Sequence, residues 1–274
     1  MSKKNQQRAP IQNVESQAYT GTQELLDSEA GLIGYSTEIV GKFFSKMELQ
    51  KRIIEDKGNL LEFGAGTGFL AEIFQTQFHT KPDCVELDPQ LTKVISQKNF
   101  QCYQFLNQTP QKYAAIYTSN VLEHIENDTA ILKELFDSLI PGGAIGIYVP
   151  AHPILYSMMD KEIGHIRRYK RSELKSKVEE AGFIIQSLTY DEFIGFFASI
   201  VLKTFGYKNK AGLGSKRSLI IYDKFIYPLS KVLDQFGLRY LIGKNLLLIA
   251  VKPACRDVPI APKGGDLKIS SGNE

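Results

Sequence analysis

The chain has 274 residues, an apolar fraction of 43% and a formal net charge of +3, which suits one principal core with additions and is too short for two large domains. A charge this mild gives no ground for a nucleic-acid protein, and Lys208, Lys210, Lys216 and Arg217 read as solvated loop charge rather than a phosphate-binding face. Cys84, Cys102 and Cys255 lack CxxC spacing, residues 1–17 lack an apolar signal core, and the run 193–205 falls short of the ~20 residues a spanning helix needs, so a cytoplasmic protein with reduced thiols is expected.

Residues 1–20 and 254–274 are rich in polar residues or in Pro and Gly and are expected to be disordered, leaving 21–253 as the domain. Apolar spacing over 22–54 (Leu25, Leu26, Ile33, Ile39, Val40, Phe43, Phe44) predicts two or three helices. Short apolar runs then alternate with helical patterns. Strands are predicted over 59–63, 83–86, 100–103, 113–118 and 144–149, and helices over 69–77, 89–97 and 128–139, with Pro141-Gly142-Gly143 as a stop. A helix over 172–181 with Ser172 as its cap, a strand over 183–188, a helical insertion over 192–236 and a last strand over 245–251 complete the chain. The alternation predicts a doubly wound, mostly parallel sheet with helices on both faces.

The chemistry starts at the first strand. Leu60-Leu61-Glu62-Phe63-Gly64-Ala65-Gly66-Thr67-Gly68 runs a buried strand into a turn whose glycines permit positive φ and close approach of a ligand, and a helix follows. Glu86 stands about 20 residues further on, at the end of the second strand, where a ribose diol lies in a doubly wound sheet. Both features serve dinucleotides and S-adenosylmethionine alike, although each can also merely turn the chain or start a solvated helix. The glycine spacing separates the two ligands. Phe69 stands where a dinucleotide fingerprint needs its third small residue, and no basic residue follows to meet a phosphate.

Glu62-Phe63-Gly64-Ala65-Gly66-Thr67-Gly68 resembles the first motif of class I S-adenosylmethionine-dependent methyltransferases. Val85-Glu86-Leu87-Asp88-Pro89, Thr118 to Ile125 and Leu139-Ile140-Pro141-Gly142-Gly143 resemble that family's later motifs, in the family's order, over residues 58–150. Residues 149–153, 164–169, 181–183 and 246–252 resemble a bacterial, small-molecule-type subgroup. The resemblance implies a Rossmann-like, seven-stranded methyltransferase fold with S-adenosyl-L-methionine as cofactor. It further implies that Glu62, Gly64, Ala65, Gly66, Thr67 and Gly68 hold the methionine end, Glu86 and the adjoining Leu87 the ribose side, and Asn120 and Val121 the floor beside the sulfonium. The adenine amino group usually meets an acidic residue; here Gln104, Asn107 and Gln108 stand in that region, with Asn107 the chosen contact, because an amide oxygen accepts the same bond.

A hydroxyl acceptor needs a base, and His124, His152 and His165 are the candidates, whereas His79 falls at the wrong edge of the sheet. Asn120-x-x-Glu123-His124 is also similar to the metal site of some O-methyltransferases, but with Asn120 in place of a carboxylate the ligand set is poor and no metal is expected. Arg167 and Arg168 can clamp an anionic acceptor or pin a loop through Asp160, Glu162 or Glu173; Tyr156 and Tyr169 join them as substrate candidates. The insertion, apolar and interleaved with lysines, reads first as a lid and second as a peripheral membrane contact over 193–236. The expected activity is methyl transfer to an oxygen of a small molecule, glycan or lipid-linked acceptor. A non-catalytic methyltransferase-like subunit and a nicotinamide dehydrogenase are the alternatives.

Overall fold

The computed structural model describes residues 29, 31–110, 112–205 and 216–254. The expected disorder of 1–20 and most of the expected tail lie outside those residues, as do Cys255, Lys208 and Lys210. Helix α1 (Ile33–Lys46) buries Ser36, Ile39, Val40 and Phe43, an i, i+3, i+4, i+7 stripe, and a π-helical stretch (Gln50–Glu55) leads to the sheet. There follow β1 (Leu60–Phe63), α2 (Phe69–Phe78), β2 (Asp83–Val85), α3 (Pro89–Gln97), β3 (Cys102–Tyr103), β4 (Tyr113–Ser119) and α4 (Asp128–Ser138). Then come β5 (Leu139–Pro150), α5 (Met158–Glu162), α6 (Arg171–Glu180) and β6 (Ile184–Asp191). The insertion is α7 (Phe193–Phe205), α8 (Lys216–Ile221), a π-helical stretch (Tyr222–Ile226) and α9 (Tyr227–Gln235), and β7 (Asn245–Val251) ends the domain.

The seven strands lie in the order β3-β2-β1-β4-β5-β7-β6. All neighbours are parallel except β7, which runs antiparallel between β5 and β6. Strands β1, β4 and β7 are mostly apolar and buried at almost every position because both sheet faces are covered. One face packs Leu61, Ile116, Ile145 and Leu248 with Leu132 and Leu135 of α4 and Leu174 of α6. The other packs Leu60, Tyr117 and Ile249 with Phe43 of α1 and Phe74 of α2. The order in which strands are added reverses at β1, with β2 and β3 on one side and β4 and β5 on the other, so the carboxyl ends of β1 and β4 open a crevice at that switch point.

Several boundaries differ from the sequence reading, β6 among them since it runs on to Asp191, and three of the differences have a visible structural cause. Pro141-Gly142-Gly143 lies within β5 as a bulge: Leu139 pairs with Tyr113 and Ala144 with Ala115, and Gly142 takes φ +80° between them. The N–H of Gly142 donates to the Lys252 carbonyl and the N–H of Lys252 to Gly143, so β7 keeps the bulge bonded. Ser172 is not a cap, since α6 begins at Arg171 with Lys170 as N-cap residue and no side-chain capping bond. Strand β3 is two residues long, because Phe100 is instead buried against α3 beside Ile95, with its N–H bonded to the Ile95 carbonyl.

Asp128 ties the helices on one face together. Its buried carboxylate accepts from Lys177 Nζ of α6 at 2.7 and 2.8 Å, from the Tyr169 hydroxyl at 2.7 Å and from Arg167 at 3.0 Å. Burial opposes its charge, but the Lys177 and Tyr169 hydrogen bonds and the two cations outweigh it and depress its pKa. That stability is present above the pKa of an unfolded aspartate and is lost as pH falls through the folded one. Asp128→Asn is expected to cost about 3 kcal/mol in chemical denaturation at pH 7, with the gap from the parent shrinking in acid; an equal gap at all pH values would remove Asp128 as the ionised anchor.

Candidate functional site

The turn after β1 has its expected conformation. Gly64, Gly66 and Gly68 all take positive φ, at 74°, 57° and 78°. The N–H groups of Gly64 and Ala65 donate to the Val85 carbonyl at 2.8 and 3.1 Å, which hangs the turn on the end of β2. Any Cβ on Gly64 would stand 2.4 Å from a Val121 methyl, so only glycine lets the turn lie against the segment leaving β4. Gly68 is the N-cap residue of α2. No basic side chain occurs between Gly64 and Glu72.

Two glutamates flank the turn. Glu86 accepts from Gly66 N–H at 2.8 Å with one oxygen and from Asp88 N–H at 3.0 Å with the other. Burial raises its pKa, and those two N–H bonds offset part of the rise. Asp88 in turn caps α3 by accepting from Gln90 N–H. Glu62, deeper in β1, is buried and accepts from the Tyr117 hydroxyl at 2.9 Å. Burial pushes its pKa up to about 8, and the Tyr117 bond relieves only part of that. Thr67 is buried and donates to Glu29 at 2.5 Å, a contact the sequence reading missed, since nothing local marks a residue 38 positions upstream as its partner.

The adenine-side amides divide. Gln104 donates to the Leu87 carbonyl, and the Gln108 amide oxygen accepts from the N–H groups of Gln104 and Phe105. Asn107 is exposed, and no described hydrogen bond engages its side chain. Asn120, exposed at the carboxyl end of β4, takes φ +53°, a left-handed conformation that Asn tolerates, with its N–H bonded to the Tyr148 carbonyl of β5.

Beyond β4 the structure gathers Glu123, His124 and His165. The two imidazoles meet edge to face at 4.8 Å between centroids. His124 Nδ1 lies 3.1 Å from the Gly164 carbonyl, and burial together with His165 lowers the His124 pKa to about 4. His165 places Nδ1 2.9 Å from Asp160 and Nε2 3.5 Å from Glu123. Asp160 also accepts from Arg168 Nε at 2.8 Å and from the Ser157 N–H. Burial works to raise its pKa, but His165 and Arg168 overcome this and hold it at about 2. Glu123 is fully buried, no described residue hydrogen-bonds either carboxylate oxygen, and burial raises its pKa to about 8 against partial relief from Arg168. One ligand atom from each of Glu123, His124 and His165 lies within 4.8 Å of the others, a set that could receive a cation.

The other sequence candidates are engaged within the protein. His152 stacks on Tyr190 at 4.9 Å and meets Phe196 edge to face. Arg167 donates to Asp128 and to the Glu126 carbonyl, the buried Arg168 pairs with Asp160, and the Tyr169 hydroxyl donates to Asp128 with the Leu122 carbonyl 3.1 Å from its oxygen. Tyr156 donates to the His165 carbonyl at 2.7 Å. Asp160, one of the acids expected to pin the arginine loop, takes its partners from the same short segment, whereas Asp128 was missed because Arg167, Tyr169 and Lys177 lie about forty or more residues further on. His79 caps the end of α2 and adjoins Asn59, Leu60 and Asp83, at the amino ends of β1 and β2.

Residues 39–188, more than half of the chain, match the sequence profile of a methyltransferase-domain family. No curated protein matches the sequence. Among solved structures the fold is similar to a chain in the complex of a methyltransferase activator with its candidate methyltransferase from Haloferax volcanii: TM-score 0.53 and 10% identity, covering 85% of this chain and 92% of that one. It is also similar to a candidate sarcosine dimethylglycine methyltransferase from Galdieria sulphuraria: TM-score 0.52 and 17% identity, covering 79% and 84%. At such identities the likeness is one of fold.

With burial holding Glu123 protonated up to about pH 8 in the folded state, the folded protein binds more protons than the unfolded chain between the ordinary glutamate pKa and pH 8, so stability falls as pH rises through that window. Glu123→Gln removes this penalty. Its melting temperature is expected to exceed the parent's by several degrees at pH 8 and to converge with it near pH 5; a pH-independent difference would show that Glu123 is ionised throughout.

Proposed function

Since the chain belongs to the methyltransferase-domain family, we propose that it transfers the methyl group of S-adenosyl-L-methionine to an oxygen of a small-molecule, glycan or lipid-linked acceptor. The observation that carries the donor is the tie between Gly66 and Glu86 across the mouth of β1 and β2. The donor set fits this cofactor. The Glu86 carboxylate suits hydroxyl groups, Glu62 supplies a buried carboxyl whose ionised form an ammonium group would favour, and the turn lacks the basic residue a pyrophosphate would favour. In this reading Glu86 takes the ribose diol with lone pairs left over from its two N–H bonds. Glu62 and Gly64 to Gly68 hold the methionine end, Leu87 and Asn107 border the adenine, and Asn120 and Val121 form the floor. When bound, the cofactor supplies a methyl group on a sulfonium, open to in-line attack.

The chain's own part is positioning and proton removal. His124 is the base: with its proton on Nδ1, toward the Gly164 carbonyl, Nε2 keeps a lone pair for an acceptor hydroxyl. Its low pKa keeps it neutral throughout the physiological range. His165, held by Asp160, orients the His124 ring through their edge-to-face contact. His152, Tyr156, Arg167, Arg168 and Tyr169 shape the loop after β5 that carries His165. The convergence of Glu123, His124 and His165 favours a second reading, in which these residues would hold a divalent ion that would lower the acceptor's pKa, in place of proton removal by a free imidazole.

Glu86→Ala is expected to weaken S-adenosylhomocysteine binding by about 2–3 kcal/mol in calorimetry, and Glu86→Gln by less; unchanged affinity in the alanine variant would sink the ribose assignment. His124→Gln is expected to lower kcat about 100-fold or more with unchanged cofactor affinity, and the parent's acid limb is expected near pH 4. Chelator treatment separates the two readings: unaltered turnover supports His124 as base, and loss restored by a divalent cation supports the ion.

A further inference from the structure

The insertion presents an apolar stripe that no other described part of the chain covers. Ile221, Phe225, Leu229, Val232 and Phe236 follow one another at spacings of four, four, three and four, which is one side of a helix, and all five are exposed, Phe225 at 71% and Phe236 at 84%. Tyr240 and Leu241 extend the stripe, and on the neighbouring α7 Phe197, Val201 and Leu202 are about half exposed. A contiguous patch of this kind is unusual for a surface that meets only water.

The charges around it are one-sided. Between Phe193 and Lys244 the sequence has two carboxylates, Asp223 and Asp234. Both are spent on the protein's own backbone: Asp223 accepts from the N–H groups of Gly34 and Tyr35, and Asp234 from those of Glu192 and Phe193. The unspent charge is basic, with Lys224 exposed next to Phe225 and Arg239 next to Tyr240. The same carboxylates make the surface rigid. Asp223 fixes it to the start of α1, Lys231 adds a bond to Glu38 at 2.5 Å, and Tyr222 donates to Glu192 at the end of β6.

We propose that this stripe docks the protein on an anionic lipid surface. Apolar side chains enter the headgroup boundary while the flanking cations meet anionic headgroups, the arrangement of an interfacial helix. Self-association through the same stripe would bring the Lys224 side chains of two copies toward one another, whereas a lipid surface complements them. The docking face also adjoins the candidate site. Phe196 of α7 packs on His152 at 5.1 Å, and Lys203 Nζ donates to the Ile154 carbonyl, so α7 is fixed to the loop that leaves β5. Docking therefore brings the loop after β5 to the membrane, where a lipid-linked acceptor would reside. The docking itself requires no methyl transfer.

Vesicle flotation tests this with the full chain, using phosphatidylcholine alone and phosphatidylcholine mixed with phosphatidylglycerol at low salt. The protein is expected to float with the mixed vesicles, to be released by high salt, and to lose about tenfold or more of its partition in Phe225→Glu/Leu229→Glu. Lys224→Ala is expected to lose about fivefold. Circular dichroism and S-adenosylhomocysteine binding like the parent's would show that the variants fold. Failure to float with anionic vesicles, or flotation undiminished in the folded double variant, overturns the proposal. A parent dimer that the double variant dissociates, with no vesicle binding, replaces it with self-association.

Discussion

The Glu86 carboxylate is the constraint on which the rest of the candidate site depends. With one oxygen on Gly66 N–H and the other on Asp88 N–H, it locks the turn after β1 to the start of the helix after β2. The parallel ladder brings those two ends level by pairing Phe63 with Val85. Burial resists keeping a charge there, and the two N–H donors offset part of that resistance, so turn and carboxylate stabilise each other. The positive φ values of the glycines, the Gly64 contact with Val121 and the position of Asn120 are arranged around this tie.

The carboxylates show how one small region can hold opposite protonation states. Asp160 and Glu123 both face His165, yet Asp160 is held near 2 by its hydrogen bonds and by Arg168, and Glu123, which no described hydrogen bond reaches, is pushed to about 8 by burial. Such separation of neighbouring acids is a mark of sites that move protons or bind cations. Asp128 lies close by in sequence and has a different part. Three of its donors, Lys177, Tyr169 and Arg167, join α4, α6 and the Arg167–Tyr169 segment, which gives the loop carrying His165 a firm base.

What could be read from the sequence was whatever has a local signature. The glycine turn, the helix Pro89–Gln97 and the strand Asn245–Val251 follow from turn chemistry, capping and apolar runs within a few residues. The β5 bulge escaped because Pro-Gly-Gly signals a stop, while the bonds that keep it in the sheet come from Lys252, more than a hundred residues later. Ser172 looked like a cap, but the backbone had already turned helical at Arg171. The arginines could be assigned either to a ligand or to a loop on sequence grounds, and only tertiary contacts reveal that Arg168 is buried on Asp160 and Arg167 lies on Asp128. The inward turn of Asp223 and Asp234 was equally invisible, since their partners lie on α1 and at the end of β6.

Catalytic methyl transfer is tested most directly by following the label from methyl-labelled S-adenosylmethionine, with the protein supplied with cell extract fractionated into lipids, glycans, RNA and small metabolites. Label is expected to enter the lipid, glycan or small-metabolite fraction with the parent protein and to fall sharply with His124→Gln. A protein that binds S-adenosylhomocysteine but leaves every fraction unlabelled would contradict catalysis and favour a binding subunit built on the same fold.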